Sequence, residues 1–143
     1  AIIDALQQRG FQHITIANRT VEKATNLAQQ FGAPCRAAGM NNLVEHHGQV
    51  AVIVNTTSLG MNDGRSPLDL GGCSTDTLVH DIVYTPLITP LLDQARSLSM
   101  PIVDGLGMLL HQAVPGFEKW FGIRPQVDDA LRKLLMDELG EAG

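Results

Sequence analysis

The sequence predicts an α/β fold, a doubly wound parallel sheet covered by helices on both faces. Segments whose apolar residues have helical spacing alternate along the chain with short β-branched or apolar segments. Residues 50–54, VAVIV, are continuously apolar, as expected for a strand buried on both faces of a parallel sheet. The 143 residues are 44% hydrophobic and 17% charged, which is enough apolar material for a core.

The first part of the chain predicts a helix, a strand and a second helix. Residues 1–8 carry apolar side chains at helical spacing, and Gly10 ends that pattern. Residues 13–17, HITIA, alternate in polarity and are rich in β-branched side chains, which predicts a strand. Residues 21–31 return to helical spacing, and Gly32 follows as a helix stop.

The middle of the chain is less regular. We expect a short strand around Cys35 and a short helix over about 41–47, before the buried strand at 50–54. Residues 60–72 are rich in Gly, Asp, Asn, Ser and Pro, a composition typical of a loop. Residues 77–83 predict the next strand.

The C-terminal part predicts three helices and one short strand. The helix over 90–98 starts with a proline, and Thr89 before it is a suitable N-cap. A short strand over 101–103 follows, and then two helices over 106–121 and 127–139. No internal repeat interrupts this alternation of strands and helices.

Charge and hydropathy exclude several classes of protein. Ten basic against fifteen acidic residues argue against a general nucleic-acid binder, which needs a basic face. The longest apolar run has five residues, far from the ~20 that span a bilayer, so we expect no membrane partner. We see no signal-peptide pattern at the start and expect a cytoplasmic protein.

The sequence predicts no metal site. Cys35 and Cys73 are far apart without metal-binding spacing, and we expect two free thiols in a reducing compartment. His46 and His47 are adjacent, so they cannot share a helix face as paired ligands do.

Polar residues follow four of the predicted strands. In a parallel α/β sheet, ligands bind at the carboxyl ends of the strands, so these residues are the candidates for ligand contacts. They are Asn18-Arg19-Thr20, Asn55-Thr56-Thr57-Ser58, Tyr84-Thr85-Pro86 and Asp104-Gly105.

Arg19 lies where a dinucleotide fold selects its cofactor. At the end of the second strand an acidic residue binds the ribose of NAD, whereas an arginine accommodates the 2′-phosphate of NADP. No acid competes at this strand tip, and Lys23 adds a second positive charge one turn into the helix. The alternative, a solvated arginine between a turn asparagine and an N-cap threonine, stays open.

A dinucleotide fold also needs a glycine-rich turn between its first strand and first helix. We expect that turn and strand to precede Ala1, because the chain opens directly in an uncapped helical pattern. The look-alike Gly105-Leu106-Gly107 has Leu110 at its third glycine position and is not a pyrophosphate loop.

Four segments together resemble the cofactor-binding half of the shikimate dehydrogenase family. They are ANRTVEKA, VNTTSLGM, DIVYTPLITPLL and DGLGMLLHQAVPGFEKWFG, and the resemblance covers essentially the whole chain. It implies a Rossmann-like NADP-binding domain over 1–104, incomplete at its N-terminus. It also implies C-terminal helices over 105–143, the last packing toward a catalytic domain outside this chain.

The resemblance implies an NADPH-dependent reduction of 3-dehydroshikimate to shikimate, in aromatic amino acid biosynthesis. The expected cofactor is NADP, the expected partner is the small-molecule substrate, and the expected assembly is a monomer or homodimer. The family's proton donor is a lysine paired with an aspartate in the N-terminal domain. We therefore predict no catalytic residue in this chain and expect it to be inactive alone.

The resemblance also assigns binding residues. Tyr84 offers a hydroxyl at a strand end and Gln112 can both donate and accept, which suits a polyhydroxy substrate. The substrate residues are Tyr84 and Gln112, and the cofactor residues are Asn18, Arg19, Thr20, Lys23, Thr56, Thr57, Ser58, Ile82, Gly105 and Met108. Each of four residues has a structural role as its alternative: Tyr84 as a half-buried aromatic, Gln112 as a surface residue, Gly105 as a turn glycine and Met108 as a core residue. We interpret His111 as structural.

Two other functions stay open. A quinate/shikimate dehydrogenase often uses NAD, which Arg19 and Lys23 disfavour. A non-catalytic NADP-binding module or a degraded remnant has no need of substrate contacts, so Tyr84 and Gln112 disfavour it.

Overall fold

The predicted alternation of helices and parallel strands is confirmed. A computed structural model describes residues 1–43, 50–61 and 64–140. The chain forms two units, 1–47 and 48–143, and each is described by itself. The elements are α1 (Ile2–Gln8), β1 (Ile14–Asn18), α2 (Val21–Phe31), β2 (Cys35–Gly39), β3 (Val52–Asn55), β4 (Leu78–Asp81), α3 (Pro90–Ser97), β5 (Ile102–Val103), α4 (Gly105–Phe121) and α5 (Asp129–Glu138).

The first unit is built around a two-stranded parallel sheet. β1 pairs with β2 in a register that places Asn18 opposite Gly39 at the carboxyl edge. Helix α2 packs on both strands with Ala24 fully buried against them. A single 3₁₀ turn spans Met40–Asn42, and the rest of the helix predicted over about 41–47 lies outside the described residues.

The second unit contains a three-stranded parallel sheet in the order β3-β4-β5. Its register sets Asn55 opposite Asp81 at the carboxyl edge. Helix α3 covers β4 and β5, and its apolar face forms the core of this unit. The fully or almost fully buried core residues are Leu70, Val79, Leu91, Leu92, Ala95 and Met100.

The last two helices pack on each other in the second unit. Apolar residues of the α5 region contact Leu87, Leu106 and Leu110, which leaves them partly buried rather than fully exposed; they are Val127, Leu131, Leu135, Met136 and Leu139. An ion pair joins Arg132 of α5 to Asp104, the N-cap of α4. The predicted domain boundary after residue 104, and the predicted packing of α5 toward another domain, stay predictions.

Two features differ from the sequence-based expectation. The parallel strands form two sheets rather than one, with no hydrogen-bonded pair between the two groups among the described strands. Strand β4 ends at Asp81 although the pattern predicts a strand to residue 83. It ends there because the amide of Val83 donates to the Asp81 carboxylate at 3.0 Å instead of continuing the ladder.

Both cysteines are free thiols, as predicted. Burial raises the pKa of the Cys73 thiol, and the nearby Asp69 carboxylate raises it further. The thiol therefore stays protonated at neutral pH and behaves as a small apolar side chain at the edge of the core. Across residues 1–43, 50–61 and 64–140, no helix has the length and apolar character needed to cross a membrane.

The core of the second unit predicts the effect of Leu92→Ala. Leu92 is fully buried, so removing its side chain leaves a cavity and lowers the free energy of unfolding by about 3 kcal/mol. Leu134→Ala is the matched control, because Leu134 is 58% exposed and its loss costs less than about 0.5 kcal/mol. Urea unfolding of both variants measures the difference. Equal stability of the two would contradict the packing described.

Candidate functional site

The carboxyl end of β1 turns sharply into α2. The Asn18 side-chain oxygen accepts a hydrogen bond from the Thr20 amide at 2.9 Å, which closes an Asx turn around Arg19. Thr20 is the N-cap of α2, and its side chain makes no capping hydrogen bond. The amides of Val21 and Glu22 therefore have no intrahelical acceptor and stay available to an anion.

Two cations flank this helix start. Arg19 and Lys23 are exposed, and neither forms an ion pair within the part of the chain that the structure describes. Glu22 lies in the same first turn and partly offsets their charge. A guanidinium, an ammonium and open helix amides together form a set of donors suited to a phosphate group. The structure thus brings together the four predicted residues of this edge: Asn18, Arg19, Thr20 and Lys23.

The second unit has an open cleft of about 320 Å³ at the carboxyl edge of its sheet. The cleft brings together the loop after β3 and the loop after β4, as the strand-end argument predicts. Its lining residues are Thr56, Thr57, Ser58, Met61, Ile82, Val83, Tyr84 and Thr85. Five of these are predicted cofactor or substrate residues, Thr85 is one of the strand-end candidates, and Met61 and Val83 are additions from the structure.

A buried carboxylate lies behind this cleft. Asp81 is 0% exposed and accepts hydrogen bonds from three residues in the described part of the chain. Its Oδ2 accepts from Asn55 Nδ2 at 3.0 Å and from Thr89 Oγ1 at 2.8 Å, and its Oδ1 accepts from the Val83 amide at 3.0 Å. These bonds compensate for burying the charge. Asp81 is not among the residues predicted from the sequence, although an acid within a predicted strand is a visible signal.

Asn55 carries this network into the first loop. Its side-chain oxygen accepts from the Thr57 amide at 3.0 Å and from the Thr57 hydroxyl at 2.8 Å. Thr57 Oγ1 in turn accepts from the Leu59 amide at 3.2 Å. The Asn55 carbonyl also accepts from the Ile82 amide at 3.1 Å, which joins the two cleft-lining loops directly. The loop after β3 is therefore held by side chains rather than by regular secondary structure.

Tyr84 lines the other side of the cleft. It is 40% exposed, so part of its side chain contacts the protein and part is accessible to solvent. Its hydroxyl makes no hydrogen bond to any residue of the described segments, which leaves it open to a polar ligand group.

Comparison with known proteins decides the family. Two family models match the chain, Shikimate / quinate 5-dehydrogenase over 1–61 and the Shikimate 5′-dehydrogenase C-terminal domain over 105–135. The chain is 51% identical, over 147 aligned positions, to a shikimate dehydrogenase (NADP(+)) of Bartonella quintana. That alignment covers 99% of this chain and 50% of the relative. The chain belongs to the shikimate dehydrogenase family.

Solved structures confirm the Rossmann-like α/β fold predicted for this family. A quinate dehydrogenase from Corynebacterium glutamicum, in complex with NAD, superposes with a TM-score of 0.83 at 27% identity, over 93% of this chain and 49% of that one. A shikimate 5-dehydrogenase from Thermus thermophilus, in complex with NADP(H) and shikimate, gives a TM-score of 0.72 at 30% identity, over 85% and 44%. The chain spans about half the length of the curated relatives it matches.

Gly105 begins the segment of α4 that matches the shikimate dehydrogenase C-terminal domain. A Cβ atom at this position would lie 2.4 Å from the Ile82 carbonyl oxygen and 2.5 Å from that of Val83. Only glycine lets the start of α4 approach the backbone of these two cleft residues so closely. This packing supplies a structural reason for the glycine, and its predicted contact with a nicotinamide ring stays a prediction.

Met108 and Gln112 continue from Gly105 along one face of α4, because positions three and seven residues on share that face. Met108 is half-buried and Gln112 is exposed. Neither Met108 nor Gln112 lines the cleft that Tyr84 lines. These two predicted residues are therefore not among the site residues that the cleft brings together. Among the described residues, no group of three or more His, Cys, Asp or Glu side chains could hold a metal ion.

The packing at Gly105 predicts a sharp contrast between two glycines of α4. Gly105→Ala forces the backbone of Ile82 or of α4 to move and lowers the free energy of unfolding by about 2 kcal/mol or more. Gly107→Ala is the control, because nothing lies within 4 Å of its added Cβ. It raises stability by about 0.5–1 kcal/mol through helix propensity. Thermal unfolding of the two variants should move in opposite directions, and a tolerated Gly105→Ala would refute the close approach.

Proposed function

We propose that the protein containing this chain is a shikimate dehydrogenase, which reduces 3-dehydroshikimate to shikimate with NADPH in aromatic amino acid biosynthesis. The observation that carries the proposal is the 51% identity over 99% of the chain with a relative named for this NADP-linked activity. The cleft adds support, since it brings the predicted cofactor residue Thr57 and the predicted substrate residue Tyr84 into one site.

NADP is the proposed cofactor. A 2′-phosphate carries about two negative charges, and the open edge of the first unit offers Arg19, Lys23 and the amides at the start of α2. A planar guanidinium can bind a phosphate with two parallel hydrogen bonds, and its face can also stack on an adenine ring. The absence of an acid at the tip of β1 favours NADP over NAD, because an acid there binds the free ribose hydroxyl.

The second unit is proposed to orient the reacting groups. The bound nicotinamide supplies the hydride, and the protein supplies position and a dry environment. Thr56, Thr57 and Ser58 are proposed to run beside the cofactor, with the backbone of Ile82 and the Gly105–Met108 end of α4 near its nicotinamide. Tyr84 and Gln112 are proposed to hydrogen-bond the substrate's hydroxyl or carboxylate groups.

No residue of this chain is proposed as the proton donor. The resemblance assigns that role to a lysine and an aspartate of a catalytic domain outside this chain. We also propose that residues 1–104 belong to the NADP-binding domain and 105–143 to the C-terminal helices, the last facing that catalytic domain. We propose that the first strand of the NADP-binding domain comes from sequence outside this chain.

A quinate/shikimate dehydrogenase is the second candidate. It is favoured by the TM-score of 0.83 with a quinate dehydrogenase bound to NAD. Arg19 and Lys23 disfavour it because they supply charge that NAD does not use.

We further propose a cytoplasmic monomer or homodimer that takes neither nucleic acid nor membrane as a partner. The free cysteines of the chain suit a reducing compartment.

Cofactor choice is predicted to shift toward NAD in Arg19→Asp. In the complete protein encoded by the gene, the carboxylate repels the 2′-phosphate and the preference for NADP over NAD falls by about tenfold or more. Steady-state shikimate oxidation with each nucleotide gives the ratio of kcat/KM values. Arg9→Asp is the control: it makes the same charge change at the end of α1, away from the strand ends, and keeps the preference. Equal ratios in the two variants would exclude a phosphate contact by Arg19.

The 143-residue chain alone is predicted to be inactive because the proton donor lies elsewhere. Shikimate-dependent reduction of NADP by the purified chain should equal the rate without protein, while the complete protein turns over. A spectrophotometric assay of NADPH formation compares the two. Measurable turnover by the chain alone would show that its own residues complete the chemistry.

A further inference from the structure

We propose that Asp81 is a positioning residue that couples the cofactor loop, Thr56–Ser58, to the substrate loop, Ile82–Tyr84. This inference rests on the function proposed for the same cleft. Asp81 itself does not line the cleft and is 0% exposed, so it acts only through the groups that it binds.

The carboxylate binds one partner next to the cofactor loop, one in the substrate loop and one at the start of α3. Toward the cofactor loop it accepts from Asn55, whose side-chain oxygen holds both the amide and the hydroxyl of Thr57. Toward the substrate loop it accepts from the amide of Val83, the residue before Tyr84. A displacement of the Asp81 side chain therefore moves anchors of both loops together.

The third partner ties this arrangement to the fold. Thr89 Oγ1 donates to Asp81 and accepts, at 3.4 Å, from the Leu92 amide in the first turn of α3. Thr89 is fully buried, is the N-cap of α3 and lies in neither loop. Its hydroxyl fixes the carboxylate against a helix whose other side chains form the core of the second unit.

Only a carboxylate satisfies all three donors. Its two oxygens accept up to about four hydrogen bonds, whereas an amide offers one accepting oxygen and adds two donors. In Asp81→Asn, at least one of the Asn55, Val83 and Thr89 donors is left facing an N–H group. Within the described residues Asp81 has no ion-pair partner, so these neutral donors alone support the buried charge.

Thr89→Val tests the coupling from outside both loops. It keeps the shape of the side chain and removes the hydroxyl, which binds Asp81 and the Leu92 amide but neither Thr57 nor Val83. Thr89→Ser restores the hydroxyl and is the conservative rescue. Leu91→Ala is the second control, because it weakens the same helix and core without touching the network.

Amide hydrogen exchange in the ligand-free complete protein provides the first readout. We expect the Thr57 and Val83 amides to exchange about tenfold faster in Thr89→Val and in Asp81→Asn, at a temperature where every variant is folded. Thr89→Ser should match the unmodified protein. Leu91→Ala should lower protection across the core without a selective effect at these two amides. Unchanged or unselective exchange in Thr89→Val overturns the proposal.

Kinetics provides the second readout. We expect Thr89→Val to raise the KM for NADPH and the KM for 3-dehydroshikimate together, each by about tenfold, with both restored in Thr89→Ser. Leu91→Ala should leave both KM values unchanged while the protein stays folded. A rise in only one KM overturns the coupling. If the unmodified protein has no dehydrogenase activity, the proposed function fails, and the exchange measurement alone decides whether Asp81 couples the loops.

Discussion

The hydrogen bonds to the buried Asp81 carboxylate are the constraint on which the site of the second unit depends. β3 and β4 end side by side because parallel pairing sets Asn55 opposite Asp81. From there the two segments leave the sheet, and regular backbone pairing ends after the hydrogen bond from the Ile82 amide to the Asn55 carbonyl. Asp81, Asn55 and Thr89 replace that pairing with side-chain acceptors and donors. The cleft is therefore shaped by a polar network buried behind it, while the apolar core supports the network through α3.

In the first unit, a single local turn holds the segment that follows the strand end. Asn18 binds the Thr20 amide, so the strand passes into α2 within two residues and leaves Arg19 exposed at the tip. This turn needs only neighbouring residues, and the sequence offers it as the alternative to a cofactor contact. A charged side chain held at a helix start with open amides is well suited to a phosphate, which connects the local geometry to the proposed choice of NADP.

Local patterns predicted most of the fold, and long-range contacts explain where they failed. Helices α2, α3 and α4 were predicted within a residue or so at each end, since spacing and caps mark them. The end of β4 was not predicted correctly, because it depends on a hydrogen bond from the Val83 amide to the Asp81 carboxylate. The division of the described strands into two sheets was also missed, because strand pairing depends on contacts between residues far apart in the sequence. Gly105 was predicted as a ligand neighbour, whereas its close approach to Ile82 and Val83 appears only in three dimensions.

The most informative single measurement is a crystal structure of the complete protein with NADP and shikimate bound, because it shows whether one buried carboxylate arranges both sides of the cleft. We expect Thr57 to lie beside the cofactor and Tyr84 to contact the substrate, while Asp81 keeps its bonds to Asn55, Val83 and Thr89. A structure in which either ligand binds away from these loops, or in which Asp81 has released its partners, would contradict this arrangement.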